Sequence, residues 1–190
     1  MRTRLVIVAG LGLSLLSGAV SAAEPAAAPA NPPAAPAPVT VPNPLDDVPE
    51  AMPFAQPYGA PISLAKALAL IQGATAEASK RGWQMSFAVL DSSATPVAFA
   101  RMDGANLASA SIAGEKAATA VKFRRPTRVF EDAIQKKDFK YLLSLQGILA
   151  SRGGLPLLED GKVIGAIGCS GGTGSQDEAV CLAAAAAYLK

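Results

Sequence analysis

The 190-residue chain carries 17 Lys and Arg against 15 Asp and Glu, a formal net charge of +2, and 51% of its residues are hydrophobic. A net charge this small gives no argument for nucleic-acid binding, whereas the apolar share is enough for the core of one domain. The sequence contains no histidine and only two cysteines. These counts exclude Ser-His-Asp and Cys-His catalysis, histidine-based zinc sites, proximal-histidine haem ligation and a cysteine-rich structural zinc site.

The N-terminus has the pattern of an export signal. Arg2 and Arg4 flank the start of an apolar run over residues 5–20, and the small residues 21–23 follow it. A membrane anchor is the alternative, but the run is shorter than the ~20 apolar residues of a spanning helix, and three glycines interrupt it. We therefore predict a cleaved signal peptide over residues 1–23 and a periplasmic or secreted product without stable membrane insertion.

Residues 24–57 are dominated by alanine and proline, as in EPAAAPANPPAAPAP. Proline removes backbone donors and restricts its neighbours, so neither a helix nor a packed strand is expected. The composition predicts a disordered, extended tether of polyproline II type, followed by a domain over residues 61–190.

The sequence pattern of the domain predicts two hairpins and several helices. Its elements in chain order are a helix capped by Ser63 and ending near Lys80, strands over 83–91 and 96–102, a helix over 107–123, one or two short helices within 127–145, apolar runs over 148–159 and 162–170, and a helix over 176–189. Asp160-Gly161 between the last two runs predicts a type I′ hairpin turn. This order does not alternate as a doubly wound parallel sheet does, so it predicts an α+β domain with an antiparallel sheet.

The glycine-rich run over residues 170–175 resembles a phosphate cradle at first sight. It has no lysine for a Walker loop, and Asp177 takes the place of the third glycine of a dinucleotide motif. Ser175 and Glu178 have the spacing of a capping box, and the carboxylates at the start of the helix would repel a phosphate there. We interpret the run as a structural loop between a strand and a helix.

The helix over 107–123 separates into two faces with a basic end. One face is small and apolar, suited to packing on a sheet, and consists of Ala113, Ala117, Ala120 and Val121. A mixed stripe and a basic cluster complete the helix: Ile112, Lys116, Thr119 and Phe123, then Lys122, Arg124, Arg125 and Arg128. The cations can simply complement the helix dipole, each contributing about 0.3–1 kcal/mol. Alternatively, a cationic rim beside an apolar stripe suits a flat amphipathic anion or an oligomer partner.

The two cysteines leave the question of a disulfide open. An oxidising compartment favours a bond between Cys169 and Cys181. Cys181 also suits a small core position within an alanine-rich helix, and the sequence does not give the Cα separation that a bridge requires.

Several motifs together are specific to one family. They are Arg101-Met102-Asp103-Gly104, Glu115-Lys116-Ala117-x-Thr119-Ala120, Arg124-Arg125-Pro126, Gly153-Gly154-x-Pro156 and Gly165-x-Ile167-Gly168-x-Ser170-Gly171. With these motifs, residues 63–190 resemble the GlcG-like haem-binding (haem-degrading) family.

The resemblance implies a five-stranded antiparallel sheet flanked by helices in a profilin-like layout, symmetric homo-oligomers and haem as a ligand. It implies that Lys116, Thr119, Arg124 and Arg125 face the ligand, and the stripe adds Phe123 as a ring contact. Thr119 is the candidate iron ligand. Because the chain has no histidine, the iron would otherwise use a Met, a Tyr, a Cys or no protein ligand.

We therefore predict an exported protein that binds haem, another tetrapyrrole or a similar amphipathic anion, and no nucleic acid. A binding protein is favoured over an enzyme, although weak haem-degrading or peroxidase-like activity has been attributed to some family members. One alternative is an oligomeric scaffold or sensor partner without a small-molecule ligand. Another is an enzyme acting on a small organic acid, with Asp103, Glu115 and Asp132 as acid/base groups.

Overall fold

The computed structural model describes residues 44–46, 48–52 and 54–188. The predicted signal peptide and the tether up to residue 43 lie outside these residues. The chain divides into two units, residues 1–48 and 49–190. In the first unit the structure describes a short 3₁₀ helix, Pro44–Asp46, within the stretch predicted to be extended. Proline at the first position of a helical turn already has the φ that such a turn needs.

The second unit contains the helices and strands that the sequence predicts, with boundaries within a few residues except for the strand Gly154–Glu159, which begins well inside the apolar run predicted over 148–159. The helices are α1 (Leu64–Lys80), α2 (Ser109–Phe123), α3 (Arg128–Lys137) and α4 (Gly174–Tyr188). The strands are β1 (Ser86–Asp91), β2 (Pro96–Arg101), β3 (Gly154–Glu159) and β4 (Lys162–Ser170), and a 3₁₀ helix, Lys140–Ser144, follows α3. None of the described helices is long and apolar enough to cross a bilayer.

The four strands form one antiparallel sheet in the order β2-β1-β4-β3. Strand β4, one of the two central strands, is buried from Val163 to Ser170 because helices cover both faces of the sheet there. Asp160 and Gly161 connect β3 and β4 with φ of 49° and 72°. Both values are positive, as a type I′ turn requires, so the predicted hairpin is confirmed.

The five-stranded sheet implied by the family resemblance is wrong for the described residues, which form four strands. Where a fifth strand could start, Tyr58 makes a single parallel bridge to Val163. The Val163 N–H donates to the Pro57 carbonyl over 2.9 Å, and the Gly59 N–H donates to the Val163 carbonyl over 2.8 Å. Pro57 and Pro61 have no N–H to donate, so the pairing does not extend into a strand. The profilin-like layout stays a prediction.

Helix α2 packs on one face of the sheet, and α1 and α4 pack on the other. The small face predicted for α2 is confirmed, since Ala113, Ala117, Ala120 and Val121 are all fully buried. They meet Ala88, Leu90, Val163 and Ala166 of the sheet. A Cβ at Gly168 would collide with the Ala113 carbonyl, so this glycine permits the close approach of α2 to β4.

A disulfide joins β4 to α4. Cys169 and Cys181 are bonded, with Cα atoms 5.8 Å apart, and both residues are fully buried. The question that the sequence left open is therefore answered in favour of the bond. The bridge fastens α4 to the sheet face opposite α2.

Candidate functional site

A buried ion pair connects α2 to the first turn of α4. Lys116 Nζ lies 2.6 Å from Asp177 Oδ2, and the two side chains are only 2% and 3% exposed. Asp177 also accepts a hydrogen bond from the Gly172 N–H over 3.0 Å. Burial raises the pKa of Asp177 above its ordinary value, against the opposing effect of Lys116 and the loop N–H groups. Lys116 was predicted to face a ligand, and that role stays a prediction. In this structure its ammonium is directed into the core.

Two glycines make room for this ion pair. Gly153 has a φ of +112°, and a Cβ there would lie 2.7 Å from Asp177 Cβ and 3.1 Å from Lys116 Nζ. A Cβ at Gly154 would collide with the carbonyl of Lys116. The Gly153-Gly154 motif is therefore needed for the packing of α2 and α4 against β3.

The glycine-rich run connects β4 to α4, as predicted, but its capping box is formed by other residues. The Thr173 N–H donates to Gln176 Oε1 over 2.8 Å, and Thr173 Oγ1 accepts from the Gln176 N–H over 3.4 Å. The predicted pair of Ser175 and Glu178 is displaced because α4 begins at Gly174, two residues earlier than expected. Glu178 instead pairs with Arg128 of α3.

Thr119 holds the chain segment that leads into β3. Its hydroxyl donates to the Gly147 carbonyl over 3.0 Å and accepts from the Leu149 N–H over 2.9 Å. The side chain lines a cavity of about 260 Å³ together with Glu115, Ala118, Lys122, Gly147, Ile148 and Leu149. Its role as an iron ligand stays a prediction, and the hydroxyl proton is already committed to the loop.

The C-terminal end of α2 carries a cluster of cations without acidic partners. Within the described part of the chain, Lys122, Arg124 and Arg125 form no ion pair with a carboxylate. Arg124 ends the helix in the left-handed region, with a φ of +53°. Phe123 packs edge-on against Phe130, with ring centroids 5.2 Å apart. Three of the predicted site residues, 123–125, therefore lie together at this end of the helix.

A short segment ahead of the domain covers these cations. We call residues 54–58 the strap. The Arg125 guanidinium lies 4.1 Å from the Phe54 ring centroid, and the Arg124 guanidinium lies 5.5 Å from the Tyr58 ring centroid. Arg124 also donates to the Gln56 carbonyl over 2.9 Å. Burial, followed by the nearby charge of Arg124, lowers the pKa of Arg125. The strap is the last part of the predicted tether, and it contributes aromatic faces to the site.

Arg128, which the sequence groups with the basic end of α2, belongs to a different network. It pairs with Asp132 and Glu178, while Arg152 pairs with Glu131 at 2.7 Å. Lys136, followed by Arg128, holds the pKa of Asp132 below its ordinary value, and Glu131 raises the pKa of Arg152. Asp132 is therefore an ion-pair partner that links α3 to its surroundings.

Asp103, another candidate acid/base group, lines a separate open groove of about 550 Å³ that also includes Trp83, Gln84 and Arg101. Arg101 is bonded to the Ala105 carbonyl over 2.8 Å. In the described part of the chain, no hydrogen bond, ion pair or ring contact joins this groove to residues 123–125. Across the described residues, no group of three or more His, Cys, Asp or Glu side chains could hold a metal ion.

Sequence reasoning missed three parts of the site: Phe54, Phe130 and the loop over residues 147–149. Phe54 and the loop reach α2 through contacts between positions far apart in the chain, whereas Phe130 is close to Phe123 in sequence but lies beyond the end of α2. One sequence feature could have identified Phe54: it is an isolated aromatic residue within a stretch rich in alanine and proline.

Residues 62–186 match the family of the haem-degrading protein HbpS-like. The chain belongs to this family. The resemblance to GlcG-like proteins is thereby confirmed, and Protein GlcG of Escherichia coli K12 is 38% identical over 110 residues, which cover 57% of this chain and 81% of GlcG.

Two solved structures share the fold of this HbpS-like domain. A double mutant of HbpS from Streptomyces reticuli has a TM-score of 0.63 and 29% identity, covering 74% of this chain and 97% of that one. PduOC in complex with haem has a TM-score of 0.62 and 30% identity, covering 67% of this chain and 95% of that one.

Proposed function

We propose that this HbpS-like chain is an exported haem-binding protein whose site lies at the C-terminal end of α2. The observation that carries the proposal is the cluster of Lys122, Arg124 and Arg125, which lacks carboxylate partners within the described residues and lies beside aromatic rings. Family membership and the haem complex of the structural neighbour PduOC support the choice of ligand.

The residues at this place fit the chemistry of haem. Its two propionates match the unpaired cations, and a charge-assisted hydrogen bond contributes about 1.5–3 kcal/mol when shielded from water. Phe123, Ile148 and Leu149 offer apolar contacts for the ring. Iron in a bound haem would supply the redox chemistry, while the residues of the chain bind and orient the ring.

The size of the cavity argues for open, low- to moderate-affinity binding. The space beside Thr119 is about 260 Å³. Ligand pockets that enclose a molecule usually span about 300–1,000 Å³. A haem ring would therefore lie mainly against the outside of the domain, in contact with solvent or with a second copy of the chain. A homo-oligomer belongs to this proposal, and it would bury the open side of the ring.

We favour haem binding over catalysis as the main function because the acidic side chains of α3 are engaged in ion pairs. Glu131 and Asp132 both pair with Arg152. Weak haem degradation, the activity after which the family is named, is a secondary part of the proposal. Export to the periplasm or beyond rests on the signal-like sequence of residues 1–23.

Titration of the mature protein with hemin, followed at the Soret band, tests this function. We expect a shift for the wild type and about 10- to 100-fold weaker binding for Arg124→Ala/Arg125→Ala, because two propionate contacts are lost. Lys137→Ala/Lys162→Ala is the charge-matched control, since it likewise removes two positive charges, here from exposed side chains, and leaves the end of α2 intact. An unshifted hemin spectrum with the wild type would contradict haem binding and favour the scaffold alternative. Equal affinity in the arginine variant would place the site elsewhere.

A further inference from the structure

The two arginines at the C-terminal end of α2 are already contacted by another segment of the same chain, the strap. The Arg125 guanidinium lies 4.1 Å from the Phe54 ring centroid. Arg124 donates from Nη1 to the Gln56 carbonyl over 2.9 Å. While the strap is in this position, the Phe54 ring takes up space over Arg125 that a flat anionic ligand would need.

The strap meets these arginines with uncharged groups. Its sequence is FAQPY, which contains no acidic or basic residue, so the contacts come from a ring face and a backbone oxygen. A carboxylate bonds a guanidinium more strongly than a neutral carbonyl does, because the attraction of opposite charges adds to the hydrogen bond. An anionic ligand can therefore replace the strap at Arg124 and Arg125.

The downstream end of the strap is held independently of the two arginines. The Val163 N–H of β4 donates to the Pro57 carbonyl over 2.9 Å, and the Tyr58 hydroxyl lies 3.0 Å from two backbone carbonyls at the end of α2. The strap contributes no residue to either hydrophobic core cluster of the described domain. Residues 54–56 can thus leave the arginines while Pro57 and Tyr58 stay in place.

The backbone of Phe54 opposes the closed position of the strap. Its φ is +59°, in the left-handed region. For a residue with a side chain this conformation costs free energy, because Cβ comes too close to a backbone carbonyl oxygen. The contact of the ring with Arg125 offsets that cost, so its loss to a competing ligand favours release of Phe54.

We propose that residues 54–56 are an intramolecular competitor of the ligand, occupying Arg124 and Arg125 in the free protein and leaving them when an anionic ligand binds. The inference rests on the proposed haem-binding function and adds a regulatory contact to the same site. Only molecules with an open strap are competent to bind, so the closed strap lowers the apparent affinity in proportion to the open fraction.

Hemin titration of Phe54→Ala in the full mature chain tests the competition. Loss of the ring over Arg125 should raise the open fraction and tighten hemin binding by about 3- to 10-fold. A ring that formed part of the ligand's binding surface would give the opposite sign. Phe99→Ala is the matched control, since Phe99 is a half-exposed phenylalanine of the edge strand β2, and it should bind hemin as the wild type does.

Limited proteolysis with chymotrypsin, followed by mass spectrometry, reports on the position of the strap. Cleavage after Phe54 should follow the population of the open strap and rise about 3- to 10-fold when the wild type is saturated with hemin. The ligand-free variant Arg124→Ala/Arg125→Ala should show a similar rise without any haem, because the partners of the strap are gone. Cleavage after Tyr58 is the internal control in the wild type and should not change with hemin.

The outcomes separate this inference from the function on which it rests. Hemin binding that is equal or weaker in Phe54→Ala, or a rate of cleavage after Phe54 that hemin leaves unchanged, would overturn the competition while leaving haem binding intact. Hemin binding by Phe54→Ala alone would support both proposals. Failure of wild type and Phe54→Ala alike to bind hemin would remove the proposed function together with this inference.

Discussion

At the scale of single residues, the Lys116–Asp177 pair shows that a residue of a family motif can have a structural contact: Lys116 forms an ion pair in the core. Both side chains are buried, and Gly153 and Gly154 leave space for them. A buried ion pair adds little net stability, because desolvation of the two charges offsets much of their attraction. The pair therefore matters chiefly through what happens when one partner is removed.

Asp177→Asn should destabilise the domain by about 3–5 kcal/mol, because it leaves the Lys116 ammonium buried without a counter-charge. The asparagine oxygen can still accept from the Gly172 N–H, so the variant isolates the loss of charge. Urea unfolding at neutral pH measures the effect. The double variant Lys116→Met/Asp177→Leu serves as the comparison and should recover much of the lost stability. A single variant as stable as wild type would show that the lysine is readily solvated.

At the scale of elements, the strap is attached differently at its two ends. Its downstream end is fastened to β4 because the Pro57 carbonyl accepts from the Val163 N–H, and Gly59, directly after the strap, donates to the Val163 carbonyl. Its upstream part contacts two arginines: Phe54 lies over Arg125, and the Gln56 carbonyl accepts from Arg124. The strap thus shields cations that the proposed function assigns to an anionic ligand.

Phe54→Ala should make Arg125 more reactive toward phenylglyoxal, by about 3- to 10-fold, because a cation–π contact and the cover over the guanidinium are lost together. Peptide mapping by mass spectrometry after partial modification measures the rate at Arg125 without any haem. Gln56→Ala is the matched control, since Arg124 bonds to its backbone carbonyl and the side chain is exposed. Identical rates in the wild type and Phe54→Ala would mean that the strap does not cover the site.

At the scale of the whole molecule, three layers are held together by small residues and one covalent bond. Alanines and glycines allow α2 to lie close to β4, and the disulfide joins the other face of β4 to α4. The two cysteines are separated by 12 residues in sequence, so the bond closes a short loop in the unfolded chain.

Cys169→Ala/Cys181→Ala should lower the free energy of unfolding by about 2–4 kcal/mol, since the bridge restricts the unfolded chain. The variant should still fold, because the surrounding cores do not depend on the sulfurs alone. Urea unfolding of the oxidised wild type and the variant measures the difference. Thiol counting under denaturing, non-reducing conditions checks the premise, and two free thiols in the wild type would contradict it.

The local sequence pattern was enough to predict the helices and strands of this domain. The Ser63 cap, the positive-φ turn at Asp160-Gly161 and the small face of α2 depend on residues close together in sequence. The family motifs also identified the basic end of α2, because residues 123–125 are consecutive. For features of this kind the chemistry of neighbouring residues decides the structure.

Tertiary structure decided what each of those side chains contacts. Lys116 and Thr119 share a stripe with Phe123 in sequence, yet one pairs with Asp177 in the core and the other holds a loop. The order of the four strands in the described residues and the strap over Arg125 likewise depend on segments that are far apart in the chain. Helical periodicity shows which residues lie on one face, but not which partner covers it. Burial and long-range hydrogen bonds arise only when distant segments pack together.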